Sequence, residues 1–124
     1  MNNLFREKWQ LLSSYIDNGD NILLSTHINA DGDGVGSQVA FYYYLKQLGK
    51  KCRIINATKL PLNLNIIDPD NIVETYENAL DKWLSNVDLV ILFDIGDHRR
   101  TGPIGDRVYK NSKIVSIDHH PVRE

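Results

Sequence analysis

The chain has 124 residues, 42% hydrophobic and 24% charged, with a formal net charge of −2, as expected for one soluble globular domain with room for a core. So small a charge creates no field that would draw in long nucleic acid or an anionic membrane, and any attraction for phosphate must be local. Its first ten residues carry charges where a signal peptide needs an apolar run, and no apolar stretch approaches the roughly 20 residues of a membrane span, so a cytoplasmic location is expected.

Phe5, Trp9, Leu12 and Ile16 recur at i, i+4, i+7 and i+11, which predicts an amphipathic helix over residues 3–17. Asn18-Gly19-Asp20 ends it, with Gly19 as a left-handed cap. A strand follows at 22–26 and then an acidic, glycine-rich loop. Val35 to Leu48 reads as a helix with Phe41, Tyr44, Leu45 and Leu48 on its core stripe, stopped by Gly49. Lys51 to Asn56 is the second strand, in which the lone Cys52 is a small buried hydrophobe. Residues 57–71, with Pro61 and Pro69, form a loop, and Ile72-Val73-Glu74 a short strand. Residues 76–85, containing Trp83, are a weak helix, and strands recur at 89–93 and 113–117. Between them the polar stretch from Gly96 to Gly105 suits a surface loop over an active site. This β-α-β alternation predicts an α/β fold, a doubly wound and mostly parallel sheet with flanking helices and right-handed crossovers. Only four residues follow His120, whereas a parallel sheet needs both faces covered. The chain is therefore expected to be the front part of a longer protein, with an apolar face left open beside strand 113–117.

Three acidic or histidine clusters each follow a short apolar run. His27, Asp31 and Asp33 follow the first strand, Asp94 closes Leu89-Val90-Ile91-Leu92-Phe93, and Asp118-His119-His120 closes Lys113-Ile114-Val115-Ser116-Ile117. Ligand groups in open α/β sheets gather at the carboxyl ends of such strands. If these strands are neighbours, four carboxylates and three imidazoles converge, and only a cation among them makes that tolerable. An EF-hand calcium loop starting at Asn29 fails, because position 12 is Ala40 and a strand leads in. A dinucleotide fingerprint also fails: Gly32, Gly34 and Gly36 are spaced G-x-G-x-G, and the strand-end acid it needs is Asn56. Mixed imidazole and carboxylate donors without thiolate suit manganese, magnesium or cobalt better than structural zinc.

The ordered set His27-x-x-x-Asp31-Gly32-Asp33-x-x-Gly36-Ser37, a later strand ending in Asp94, and Asp118-His119-His120-Pro121 resembles the DHH phosphoesterase superfamily across almost the whole chain. Asp97, Arg100 and Gly102 fall where oligoribonuclease-like members carry similar residues. The resemblance implies two metal ions, manganese by preference. His27, Asp31 and Asp94 would hold one; Asp33, Asp94 and His119 would hold the other, with Asp94 shared. It implies that His120 contacts the substrate phosphate and that Asp118 supports the site from behind. It further implies that residues 1–124 are the N-terminal part of a DHH catalytic domain. A fourth metal-binding Asp and a C-terminal substrate-binding domain would then lie beyond Glu124, and a homodimer of the full-length protein is allowed. Two ions about 3.5–4 Å apart activate water at neutral pH and clamp both oxygens of an in-line displacement at phosphorus. Ser37, in the first turn of the helix from Val35, and Arg100 are candidate contacts for the phosphate.

The function expected is metal-dependent hydrolysis of short oligoribonucleotides or 3′-phosphoadenosine 5′-phosphate. Rivals are a cyclic-dinucleotide phosphodiesterase, a single-strand exonuclease, or a nucleotide-binding remnant without turnover. The low positive charge argues against tracking a long strand. His98 and Arg99 read as solvated loop residues, and Tyr42-Tyr43-Tyr44 as packing, since successive rings on a helix point in different directions.

Overall fold

A computed structural model of the chain describes residues 3–28, 32–94, 101–108 and 112–117, excluding the side chains of 3–5 and 33. In chain order the elements are α1 (Asn3–Asn18), β1 (Asn21–Thr26), α2 (Gly32–Gln47), β2 (Lys51–Asn56), a 3-10 turn at Leu62–Ile67, β3 (Val73–Thr75), a second 3-10 turn at Asn78–Leu80, α3 (Asp81–Leu84), β4 (Leu89–Phe93), α4 (Ile104–Val108) and β5 (Lys113–Ile117). All four strand pairings are parallel, and the order is β3-β2-β1-β4-β5. The expected doubly wound α/β architecture is therefore the one observed.

Period-two alternation divides the strands between two cores. Ile22 and Leu24 of β1, Cys52 and Ile54 of β2, and Leu89, Ile91 and Phe93 of β4 face Leu12 and Ile16 of α1 and Val35, Val39 and Leu45 of α2. Leu23, Ile55, Val90 and Leu92 point the other way, onto Leu84, Val87, Ile104 and Val108. Every residue of β4 is buried, as befits a strand covered on both faces. At about 1.5–3 kcal/mol for each buried aliphatic side chain, these two layers are the main source of stability.

Several local expectations are corrected. Trp9 is 49% exposed rather than core; α1 meets the sheet through Leu12 and Ile16, and Trp9 instead lines an open groove of about 590 Å³ between α1 and β5. β5, in contrast, is as expected mostly exposed, with Ile114 and Ile117 turned to solvent. Gly19 does not adopt a positive φ. Its value is space, because a Cβ there would meet the Tyr15 carbonyl oxygen at 3.2 Å and Ile22 Cγ1 at 3.3 Å. The left-handed cap belongs to Gly49 (φ 76°), where Lys50 N–H donates to the Leu45 carbonyl at 3.0 Å.

α2 begins at Gly32, three residues before the expected start at Val35, and buries Val35, Gln38, Val39 and Leu45, while Tyr44 and Leu48 are exposed. Glycines in its first two turns and the buried polar Gln38 hide its core face from a hydrophobic-period reading. Gln38 is satisfied by Asn56 at the end of β2: Gln38 Nε2 donates to Asn56 Oδ1 at 2.7 Å, and Asn56 Nδ2 donates back to Gln38 Oε1 at 3.1 Å. Nearby, the Tyr43 hydroxyl donates to the Asp70 carboxylate, tying the 57–72 connection to α2.

The amide pair predicts strong coupling. Gln38→Leu or Asn56→Leu alone is expected to cost about 1–3 kcal/mol, because each strands one buried amide. The double variant should cost much less than the sum; simple additivity in urea unfolding would show that the amides do not support one another. The Tyr43 phenol is pushed up from 10.0 to about 12, chiefly by its hydrogen bond to Asp70. Its folded pKa is raised, so the associated stability is present below its unfolded pKa and lost as pH rises through the folded one. Ultraviolet titration between pH 10 and 12 should therefore show late tyrosine ionisation that Asp70→Asn diminishes, as Tyr43 returns to the ordinary range.

Candidate metal centre

The order β3-β2-β1-β4-β5 reverses direction between β1 and β4, and ligands of open α/β sheets bind beyond the carboxyl ends at such a point. β1 and β4 run in register to their ends, with Thr26 opposite Phe93. The next residues, His27 and Asp94, are therefore neighbours although 67 positions separate them in sequence. His27 Nε2 lies 3.5 Å from Asp94 Oδ2, with side-chain exposures of 13% and 6%.

The tautomer of His27 follows from its other nitrogen. Nδ1 lies 2.8 Å from the Ile28 carbonyl oxygen, which can only accept, so Nδ1 carries the hydrogen. In the neutral ring Nε2 then presents a lone pair toward the carboxylate. Two lone pairs facing each other in a buried setting repel unless a cation lies between them, either a proton on Nε2 or a metal ion. An imidazole nitrogen and a carboxylate oxygen, aimed together and shielded from water, fit a divalent ion of the manganese, magnesium or cobalt type.

Asp94 is held by its backbone. The peptide joining Phe93 to Asp94 is gripped at both ends: the Thr26 hydroxyl donates to the Phe93 carbonyl oxygen at 2.6 Å, and Asp94 N–H donates to the Ile117 carbonyl oxygen at 3.0 Å. Immediately after this peptide the chain turns left-handed, with φ 62° at Asp94. Non-glycine residues adopt that conformation seldom and at a cost, and it concentrates where geometry serves a site. Ser25 makes the matching tie on the other flank, its hydroxyl donating to the Ile55 carbonyl oxygen at 2.8 Å.

Other carboxylates are absorbed by structure. At the opposite end of the sheet Asp88 accepts from the backbone N–H groups of Asp20 and Asn21 at 2.8 and 3.1 Å. Asp68 likewise accepts from Ile72 and Val73 at 2.8 and 2.9 Å. Asp94 differs in facing an imidazole.

Of the sequence-derived ligands, Asp31, Asp118, His119 and His120 lie outside the described residues, as do Asp97, His98, Arg99 and Arg100; Asp33 lies in α2, its side chain likewise outside them. Among the described residues no group of three or more His, Cys, Asp or Glu side chains gathers for a metal, so the described part of the centre is the His27–Asp94 pair. Ser37 is exposed in the second turn of α2, not the first. Within the stretch expected as a surface loop between Gly96 and Gly105, Thr101 and Ile104 are fully buried, and Gly102 takes φ 71°. A Cβ on Gly102 would meet Ala57 at 3.2 Å and Ile28 at 3.3 Å. This segment thus packs onto the chain leaving β1 and β2, beside His27. Composition hid that contact, because a glycine's close approach leaves no periodic signal. Thr26 likewise gives no signal in the sequence, since as the last residue of an apolar strand it carries no motif.

The model of the "DHH family, N-terminal domain" matches residues 21–124, and the chain belongs to that family. It is 29% identical over 99 residues to the bifunctional oligoribonuclease and PAP phosphatase NrnA of Thermus thermophilus, covering 80% of this chain and 28% of that protein. The crystal structure of an exopolyphosphatase-related protein from Bacteroides fragilis superposes with a TM-score of 0.85 at 22% identity, over 96% of this chain and 36% of that one. The chain thus spans about a third of the length of these proteins.

Gly102→Ala is expected to destabilise the fold by about 1–2 kcal/mol, from the left-handed backbone alone. Urea unfolding measures it, and an unchanged midpoint would show that the 101–108 segment yields without cost.

Proposed function

We propose that this chain supplies the metal-binding half of a phosphohydrolase acting on short oligoribonucleotides and on 3′-phosphoadenosine 5′-phosphate. The observation that carries the reading is the His27–Asp94 pair, the carboxylate buried and the imidazole largely so, at the β1/β4 switch point, in a chain of the DHH family. His27, Asp31 and Asp94 would hold one divalent ion, and Asp33, Asp94 and His119 a second, manganese being the best match to these donors. Such ions supply concentrated positive charge for displacement at phosphorus. The remaining roles belong to the chain itself. Thr26 and Ile117 hold the peptide that precedes Asp94, and Ile28 fixes the His27 ring in the tautomer whose Nε2 faces the carboxylate. His120 and Arg100 would contact the substrate phosphate, Asp118 would support the site from behind, and Ser37 offers a further hydroxyl from α2.

A small substrate is supported by the net charge of −2, which provides no basic track for a long strand. It is supported also by the name of the Thermus relative, an oligoribonuclease and PAP phosphatase. In this reading residues 1–124 are the N-terminal part of a catalytic domain, acting in the cytoplasm, and a downstream domain presses the substrate onto the centre.

Calorimetric titration with manganese should show binding by the chain and a loss of roughly 100-fold for Asp94→Ala, since removing one shared buried ligand leaves charge uncompensated. Equal affinity would sink the assignment of Asp94. For the substrate, labelled oligomers of increasing length are compared under manganese, using the complete protein. Hydrolysis of dinucleotides to pentanucleotides should outpace that of long strands, with phosphate released from 3′-phosphoadenosine 5′-phosphate. A preference for long single-stranded DNA would place the protein among exonucleases instead.

A further inference from the structure

We infer that Thr26 is a positioning residue for the metal centre, acting through the backbone of Asp94; the inference rests on the metal-binding reading above. Thr26 is fully buried, and its Oγ1 lies 2.6 Å from the Phe93 carbonyl oxygen. That carbonyl belongs to the peptide whose other end, Asp94 N–H, is held 3.0 Å from the Ile117 carbonyl oxygen. The two anchors come from different strands, β1 and β5, so the peptide plane is fixed from both sides of β4. One residue later the chain leaves the β region for φ 62°.

A peptide clamped in this way fixes the point from which the left-handed turn departs, and with it the direction of the Asp94 carboxylate toward His27 Nε2. The N–H anchor continues the ordinary parallel ladder. The carbonyl anchor is a side-chain bond, made by Thr26, the last residue of β1, at the last pair of the register. Valine has the same shape and β-branching as threonine, so the strand would accept either. The hydroxyl, with its bond to the Phe93 carbonyl oxygen, is what separates the two side chains here.

The test uses the whole chain as Thr26→Val, which keeps shape and removes the hydroxyl, and Thr26→Ser, which keeps the hydroxyl and removes a methyl. Two quantities are read. In metal-free protein, the Asp94 carbon shifts and amide-to-Hα coupling in NMR report whether its φ is left-handed. With manganese(II) chloride, calorimetry reports affinity. The expected result is a left-handed Asp94 in wild type and Thr26→Ser, and an averaged one in Thr26→Val. Manganese affinity should fall about 10-fold or more in Thr26→Val only, the scale seen when a support behind a metal ligand is removed. A left-handed Asp94 in Thr26→Val overturns the inference, and so does unchanged manganese affinity in that variant. Equal losses in both variants also overturn it, since strand packing would then be the cause. If wild type itself binds no manganese, the metal reading falls, while the Asp94 backbone comparison still decides whether Thr26 holds that residue.

Discussion

Everything at the candidate centre depends on the parallel register of β1 and β4. The pairing runs from Ile22 opposite Leu89 to Thr26 opposite Phe93, and its last rung sets His27 beside Asp94. A slip of one residue would turn each buried aliphatic of β4 to the wrong layer, because alternate side chains serve opposite cores. Burial on both faces thus holds a register on which the chemistry relies. The same layers that stabilise the sheet position His27 and Asp94.

That register brings together groups that would not otherwise share a buried volume. A carboxylate taken from water is costly unless it is compensated, and the chain compensates its aspartates in different ways. Asp88 and Asp68 accept two backbone N–H groups each, so their charge is absorbed by turns and strand starts. Asp94 faces an imidazole whose hydrogen is committed to Ile28. Its left-handed backbone adds a local cost, sustained by the anchors from Thr26 and Ile117. One residue type thereby takes a structural role at one end of β4 and stands against a histidine at the other.

Polar ties collect along the carboxyl edge of the sheet while its interior stays aliphatic. Ser25 reaches toward β2, Thr26 toward β4, and Asn56 joins Gln38 of α2. Each satisfies a buried donor or acceptor, which makes that edge stiff rather than merely packed. Gly102 adds a wall by approaching Ile28 and Ala57 closely. Rigid support of this kind is what a metal centre needs, since ligand direction matters as much as ligand identity.

Much of this was legible in the sequence. The aliphatic runs at β1, β4 and β5, the glycine stop at Gly49 and the placement of His27 and Asp94 just past strand ends are local features, and period and composition report local features. The family followed from the order of the motifs along the chain. The burial of Gln38 escaped it because its partner Asn56 is distant in sequence, and the start of α2 at Gly32 because its glycines carry no apolar period. So did the strand order, the Gln38–Asn56 pair, the grip of Thr26 on Phe93 and the left-handed turn at Asp94. The sequence by itself determined which segments become strands and which chemical groups stand at their ends. Only the tertiary structure decided which ends are neighbours and which way their side chains face, since strand order and register are settled by packing between segments that no local pattern encodes.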